Sequence, residues 1–226
     1  MEAALHRTPV RGPTFIRLLA RLTDADLPSS GPAPADQLGQ WIDWTRAVAL
    51  SRALDHAPDT DATQPGDTPD ADADDAAACA RARARLATAI AAGDDAGDAS
   101  DFEPFRRHCV QHQRAMQAAA GRLRGQLRDR LAAASPAMAR LAEVDAAMEL
   151  ALVPREQALL AAVPMMLGAR FERLRRTAGD GADDLLPPAA PGWRTTFRND
   201  MRHVLLAELD LRFHPIEGLL AALRNR

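Results

Sequence analysis

Residues 102–134, FEPFRRHCVQHQRAMQAAAGRLRGQLRDRLAAA, and residues 135–174, SPAMARLAEVDAAMELALVPREQALLAAVPMMLGARFERL, decide the fold. In the first stretch Phe105, Cys109, His112, Met116, Ala119, Leu123, Leu127 and Leu131 recur every three or four positions. That spacing marks one face of a helix, which turns once in about 3.6 residues. Ser135-Pro136 then starts a second helix: Ser caps it, and Pro at the first position lacks an amide hydrogen that would have no partner there. The pattern resumes with Met138, Leu141, Val144, Met148, Leu152, Leu159, Val163, Met166 and Leu174. So tight a connection folds the two helices back on each other as a hairpin. Pro154 and Pro164 predict kinks or a short break in its second arm, because an interior proline removes a hydrogen bond and clashes with the preceding turn.

Working outward, residues 1–13 read as a disordered leader and residues 14–56 as an N-terminal helical pair. Thr14 caps a short helix carrying Phe15, Leu18, Leu19 and Leu22. The second helix, from about 36 to 56, carries Leu38, Trp41, Ile42, Val48 and Ala49 on one side and Trp44, Leu50 and Leu54 on others. Apolar groups around so much of the circumference predict cover on two sides. Residues 57–76 are rich in Asp and Pro with little to bury, which predicts a flexible acidic linker. Residues 77–226 form the main bundle, one domain with 14–56. It begins with a helix striped by Cys79, Ala82, Leu86 and Ile90. The last long helix is expected over 193–213, with Phe197, Met201, Val204, Leu205 and Leu209 inward. Pro215 is expected to start a short terminal helix with Ile216, Leu219, Leu220 and Leu223. The fold class is therefore all-α: an elongated helical bundle built on a long kinked hairpin, with N- and C-terminal helices packed on it.

Composition agrees. Of 226 residues 47% are apolar, many of them Ala, and aromatic residues make up only 4%. Ala, Leu and Arg favour helix, whereas strands draw on β-branched and aromatic residues. All 28 basic residues are Arg, a usage without functional weight. Net charge is −3, unevenly spread: residues 55–103 hold thirteen acids against Arg81, Arg83 and Arg85. The remainder is correspondingly basic, a surface for an anionic partner or for the protein's own acidic lobe. Two cysteines without a CxxC encode neither a disulfide framework nor a zinc site. No signal peptide is evident, and the uncharged run between Glu156 and Arg170 falls short of the roughly 20 apolar residues a span needs. The expectation is a cytoplasmic protein with no membrane span.

Candidate chemistry is sparse. His108, Cys109 and His112 are the one compact set of metal-type ligands, and two His four apart share a helix face. Their place in the apolar stripe favours ordinary packing instead, and no metal or other cofactor is expected. Asp200 and His203 stand three apart, half of a carboxylate-bridged di-iron pattern whose other parts are missing. Arg107, Arg114, Arg124 and Arg128 lie among the arginines opposite the stripe of the first hairpin helix. They could meet phosphates, but aromatic interleaving is lacking and an acidic segment is at hand, so a solvated or internally paired face is the better reading and nucleic acid is not the expected partner. No nucleophile elbow, phosphate-binding glycine loop or zinc-protease motif occurs, so no catalytic residue is assigned. The terminal Ile216, Leu219, Leu220 and Leu223 must be buried against something: the protein's own hairpin, a second copy in a homodimer, or a partner.

Four stretches, RTPVRGPTFIRLLARLTD (7–24), WIDWTRAVALSRALD (41–55), HQRAM (112–116) and AELDLRFHPIEGLLAALRNR (207–226), are similar to an uncharacterised family of proteobacterial proteins. The resemblance implies no activity. It implies a setting, since such genes are often found beside ones for proton-channel-like and OmpA-like envelope proteins. The expected function is that of a non-enzymatic helical adaptor, a coiled-coil-like interaction protein and cytoplasmic accessory of an ion-driven envelope complex. The alternatives are a nucleic-acid-binding regulator using the Arg face and a metal-dependent bundle enzyme.

Overall fold

The computed structural model describes residues 14–23, 41–55, 69–93, 100–179 and 192–225. Its regular elements among these are seven helices: α1 Thr14–Thr23, α2 Trp44–Asp55, α3 Pro69–Ala91, α4 Glu103–Ala134, α5 Pro136–Leu160, α6 Val163–Gly179 and α7 Trp193–Arg224. The chain is an all-α bundle. The leader and residues 57–68 of the expected linker lie outside the described residues.

The hairpin forms as its sequence dictates. Asp101 accepts a hydrogen bond from the Glu103 amide at 3.1 Å as α4 begins. Its inward face is the predicted one, Phe105 through Leu131, His112 included. At the apex Ser135 is extended and its hydroxyl accepts from the Met138 amide at 3.2 Å, capping α5. Pro154 stays inside α5, while the chain breaks into a turn at Ala161–Ala162 just before Pro164.

The inward face of α5 differs from the expectation. Ala142, Ala151 and Leu160 are buried, whereas Leu141 and Leu159 are exposed and Met138, Val144, Met148 and Leu152 only half-buried. α5 is apolar around most of its circumference, so spacing alone does not choose a face. Its carboxylates contribute to the choice: Asp145 and Glu149 turn to α4 and pair with Arg124 and Arg128. By length and composition alone, the stretch Pro136–Gly179 is apolar enough to cross a membrane, and 22% of its most apolar window is buried.

α7 is the element the others gather on, touching α1, α3, α4 and α6. It runs unbroken through Pro215 rather than ending there. The lost hydrogen bond is outweighed by continuity of the stripe, since Phe213, Ile216, Leu219 and Leu223 are all buried along it. At its N-terminal end Phe197 meets Phe105 and Phe171 edge-on at 5.1 Å, with Trp193 and Phe102 around them. Gly168 lets Phe102 lie on α6: a Cβ there would come within 3.0 Å of its ring.

α3 starts at Pro69, earlier than expected, so residues 69–76 are helix and not linker. Proline suits a first turn, and Asp72 and Asp75 reach Arg130 of α4 at 3.5 and 3.0 Å. Arg83 ties the same helix to Asp210 and Glu217 of α7 at 2.6 and 3.1 Å, and Gly93, at φ 89°, ends it in the left-handed region. α2 is shorter than predicted and covered on one side. Asp43 interrupts the expected helix and caps a new one, accepting from the Arg46 amide at 2.9 Å. Only Ala53 of α2 is buried, against α5, whose Arg140 donates to the carbonyls of Ala53 and Leu54. Trp44 is 83% exposed.

Candidate functional site

Where α4, the end of α5 and α7 converge, a polar chain runs from the core to the surface. It begins at a proline. Pro164 has no amide hydrogen to give the Leu160 carbonyl four residues back. Gln113 of α4 fills that place, donating from Nε2 to the Leu160 oxygen at 3.0 Å. The same nitrogen donates to Glu208 Oε2 of α7 at 2.9 Å. Glu208 is 0% exposed, and its other oxygen accepts from Arg212 Nε at 3.0 Å and Nη2 at 2.9 Å. Arg212 Nη1 continues to Glu156 Oε1 of α5 at 3.0 Å.

Burial pushes the Glu208 carboxyl above the ordinary carboxylate range, and the bond from Gln113 and the charge of Arg212 oppose that push. Both of its oxygens are engaged and neither meets solvent, so the group holds helices together and does not face a ligand. Nearby, burial and then the Glu208 charge push the Cys109 thiol up to about 12, which makes it an inert packing group.

Arg212 and Glu156 form part of the wall of an open cleft of about 1090 Å³. Arg114, Gly121 and Arg124 of α4 make one wall, and residues from Glu149 to Leu159 of α5 the other. Leu211, His214 and Pro215 of α7 close one side, and Trp41, just before α2, and Arg46 of α2 reach it as well. Two large exposed apolar side chains lie on it, Leu150 at 69% and Leu159 at 67% exposed, while Met165 of α6, 72% exposed, lies outside its lining, as do Ile16, Trp44, Leu54 and Leu141.

The sequence-derived candidates fall in three places. Ile216, Leu219 and Leu223 are core residues and Leu220 is half-buried against the core, so the C-terminal segment docks on its own bundle. Arg124 and Arg128 are engaged with Asp145 and Glu149, with Arg124 Nη2 at 2.7 Å from Asp145. Arg107 and Arg114 are exposed. His108 and His112 meet edge-on with ring centroids 4.3 Å apart, and burial followed by the His108 charge lowers the His112 pKa. No group of three His, Cys, Asp or Glu side chains able to hold a metal occurs among the described residues. Asp200 is paired with Arg170 at 2.9 Å and His203 is exposed, so that pair is not brought into a cluster.

Sequence reading missed Glu208, Gln113 and the cleft. One signal was available: Glu208 and Arg212 stand four apart inside an apolar run, a spacing that lets a buried carboxylate meet its own arginine.

Residues 1–225 match a family described as "Protein of unknown function (DUF3348)". The chain belongs to that family. No curated protein and no solved structure matches it.

Proposed function

We propose that this member of the family is a non-enzymatic helical adaptor, a bundle whose α5–α6 face and adjoining cleft hold a partner protein. The observation that carries the reading is the exposure of Leu150, Leu159 and Met165 along one arm of the hairpin. Large apolar side chains grouped beside a cleft mark interaction surfaces, whereas scattered ones do not. The ion pairs of Asp145 and Glu149 with α4 favour α5 as a packed helix with a docking face over a bilayer span. Pairing of Arg106, Arg124, Arg128 and Arg130 with carboxylates of the same chain leaves less of α4 for phosphates. The setting implied by the family resemblance, a cytoplasmic accessory of an ion-driven envelope complex, is part of the proposal.

The test compares proteins co-purified from the native host by the wild type and by Leu150→Glu/Leu159→Glu. Both positions are exposed, so the variant should melt as the wild type does and lose a partner that the wild type retains. Identical co-purifying sets would remove the reading.

A further inference from the structure

We infer that the cleft receives one amphipathic helix of about three turns from a partner protein, with acidic residues flanking its apolar stripe. The inference rests on the adaptor reading and specifies the partner's chemistry.

Length comes first. The α4 wall runs from Arg114 to Arg124 and the α5 wall from Glu149 to Leu159. At about 1.5 Å per helical residue each wall is roughly 15 Å long, the length of three turns. The cleft lies above the usual upper size of an enclosed small-molecule site, about 1,000 Å³, and its α5 wall is largely in solvent. Such a trough suits a helix laid along it.

The two walls offer complementary surfaces to a helix. On α5, Leu150 and Leu159 present large apolar side chains to an apolar stripe. On α4 the wall includes Ala118 and Gly121, and a Cβ at Gly121 would meet nothing within 4 Å. Glycine inside a helix costs about 1 kcal/mol relative to alanine, and nothing in the protein's own packing calls for it here. A bare backbone facing the cleft lets a second helix approach closely.

Charge selects the partner. Glu149 shares Arg124 and Arg128 with Asp145, and Glu156 shares Arg212 with Glu208. Arg114 on one wall and Arg155 on the other have no ion-pair partner among the described residues. Arginines outnumber carboxylates in the lining of the trough, and each wall carries one arginine outside the ion pairs. An incoming helix with Glu or Asp beside its stripe meets those arginines, and one with Lys or Arg is repelled.

The experiment uses the full-length protein and two labelled three-turn stapled peptides. They share leucines at helical spacing and differ only in carrying Glu or Lys beside that stripe. Fluorescence anisotropy should show the Glu peptide binding at least about tenfold tighter than the Lys peptide. Gly121→Leu should abolish binding with no loss of melting temperature, because it fills the cleft and improves helix propensity. Arg114→Glu/Arg155→Glu should reverse the preference, which keeps the test decisive if the first variant misfolds. Equal binding of the two peptides, or binding of neither, overturns the inference. So does a dimer in sedimentation velocity that Gly121→Leu dissociates, since the occupant is then a second copy. If the peptides fail while Leu150→Glu/Leu159→Glu still sheds a host partner, the adaptor reading stands and only the acidic-helix inference falls.

Discussion

α5 and α7 make an instructive pair. α5 belongs to the stretch apolar enough to cross a membrane, yet it leaves Leu150 and Leu159 in solvent. α7 carries charged residues along its length, yet its stripe from Phe197 to Leu223 is the centre of the bundle, and even Glu208 is enclosed. Apolarity alone does not decide what is buried. The extent of packing does: α7 has α1, α3, α4 and α6 packed along it, while α5 has α4 and α2 on parts of its surface and meets α7 near its end, through Glu156 and Arg212. An apolar side chain on the side without a neighbour stays outside however favourable its transfer would be.

The sharpest way to break this contrast is to cut α7. Removing residues 214–226 deletes Ile216, Leu219 and Leu223 from the core. Each contributes roughly 1.5–3 kcal/mol, against a total stability of about 5–15 kcal/mol for a domain. The truncated protein should lose cooperative thermal unfolding. A melting curve like that of the full chain would show the segment to be a tail.

Arg212→Ala should come next. It leaves Glu208 enclosed without its cation, and breaking a buried pair from one side costs about 3–5 kcal/mol. Replacing both partners, Glu208→Leu/Arg212→Leu, should recover most of that in urea denaturation, because apolar groups need no compensation. If the double variant is as unstable as the single one, the pair is not the origin of the loss.

A smaller effect separates the regions by pH. Because burial raises the Glu208 carboxyl, the unfolded chain ionises it first as pH rises. Its contribution is thus complete below about pH 4, the unfolded value, and is lost as pH climbs through the higher folded value. The stability of wild type minus that of Glu208→Gln should therefore fall from acid toward neutral pH. A difference that rises with pH would mean that the Arg212 pairing outweighs burial. The smallest effect belongs to α5: Leu150→Ser or Leu159→Ser should change unfolding free energy by less than about 0.5 kcal/mol, as exposed positions do.

Legibility in the sequence followed the same division. α4 was read correctly from Phe105 to Leu131 because its other faces are charged, so one stripe stands out. α5 was misread by about one position, 141 for 142 and 159 for 160, because leucine and alanine surround it and tertiary ion pairs help orient it. Pro215 looked like a terminus because propensity is local, while the stripe that carries the helix past it is made by contacts with other helices. Asp72 and Asp75 read as linker because their partner, Arg130, is far away in sequence. The cleft could not be read at all: it is a relation among α2, α4, α5 and α7, and no single segment encodes it.

The hydrogen bond that Gln113 supplies to the Leu160 carbonyl has a consequence for alignment. Stripes of Ala and Leu are nearly self-similar under translation, so two such helices can slide by one turn, about 5.4 Å, and still find apolar contacts. Gln113 removes that degeneracy. From one nitrogen it reaches a carbonyl bared by Pro164 and a carboxylate fixed by Arg212. Sliding α4 by a turn would strand both acceptors in the interior, at about 1–3 kcal/mol each. One side chain thereby sets the register of three helices at once, and with it the facing of the cleft walls.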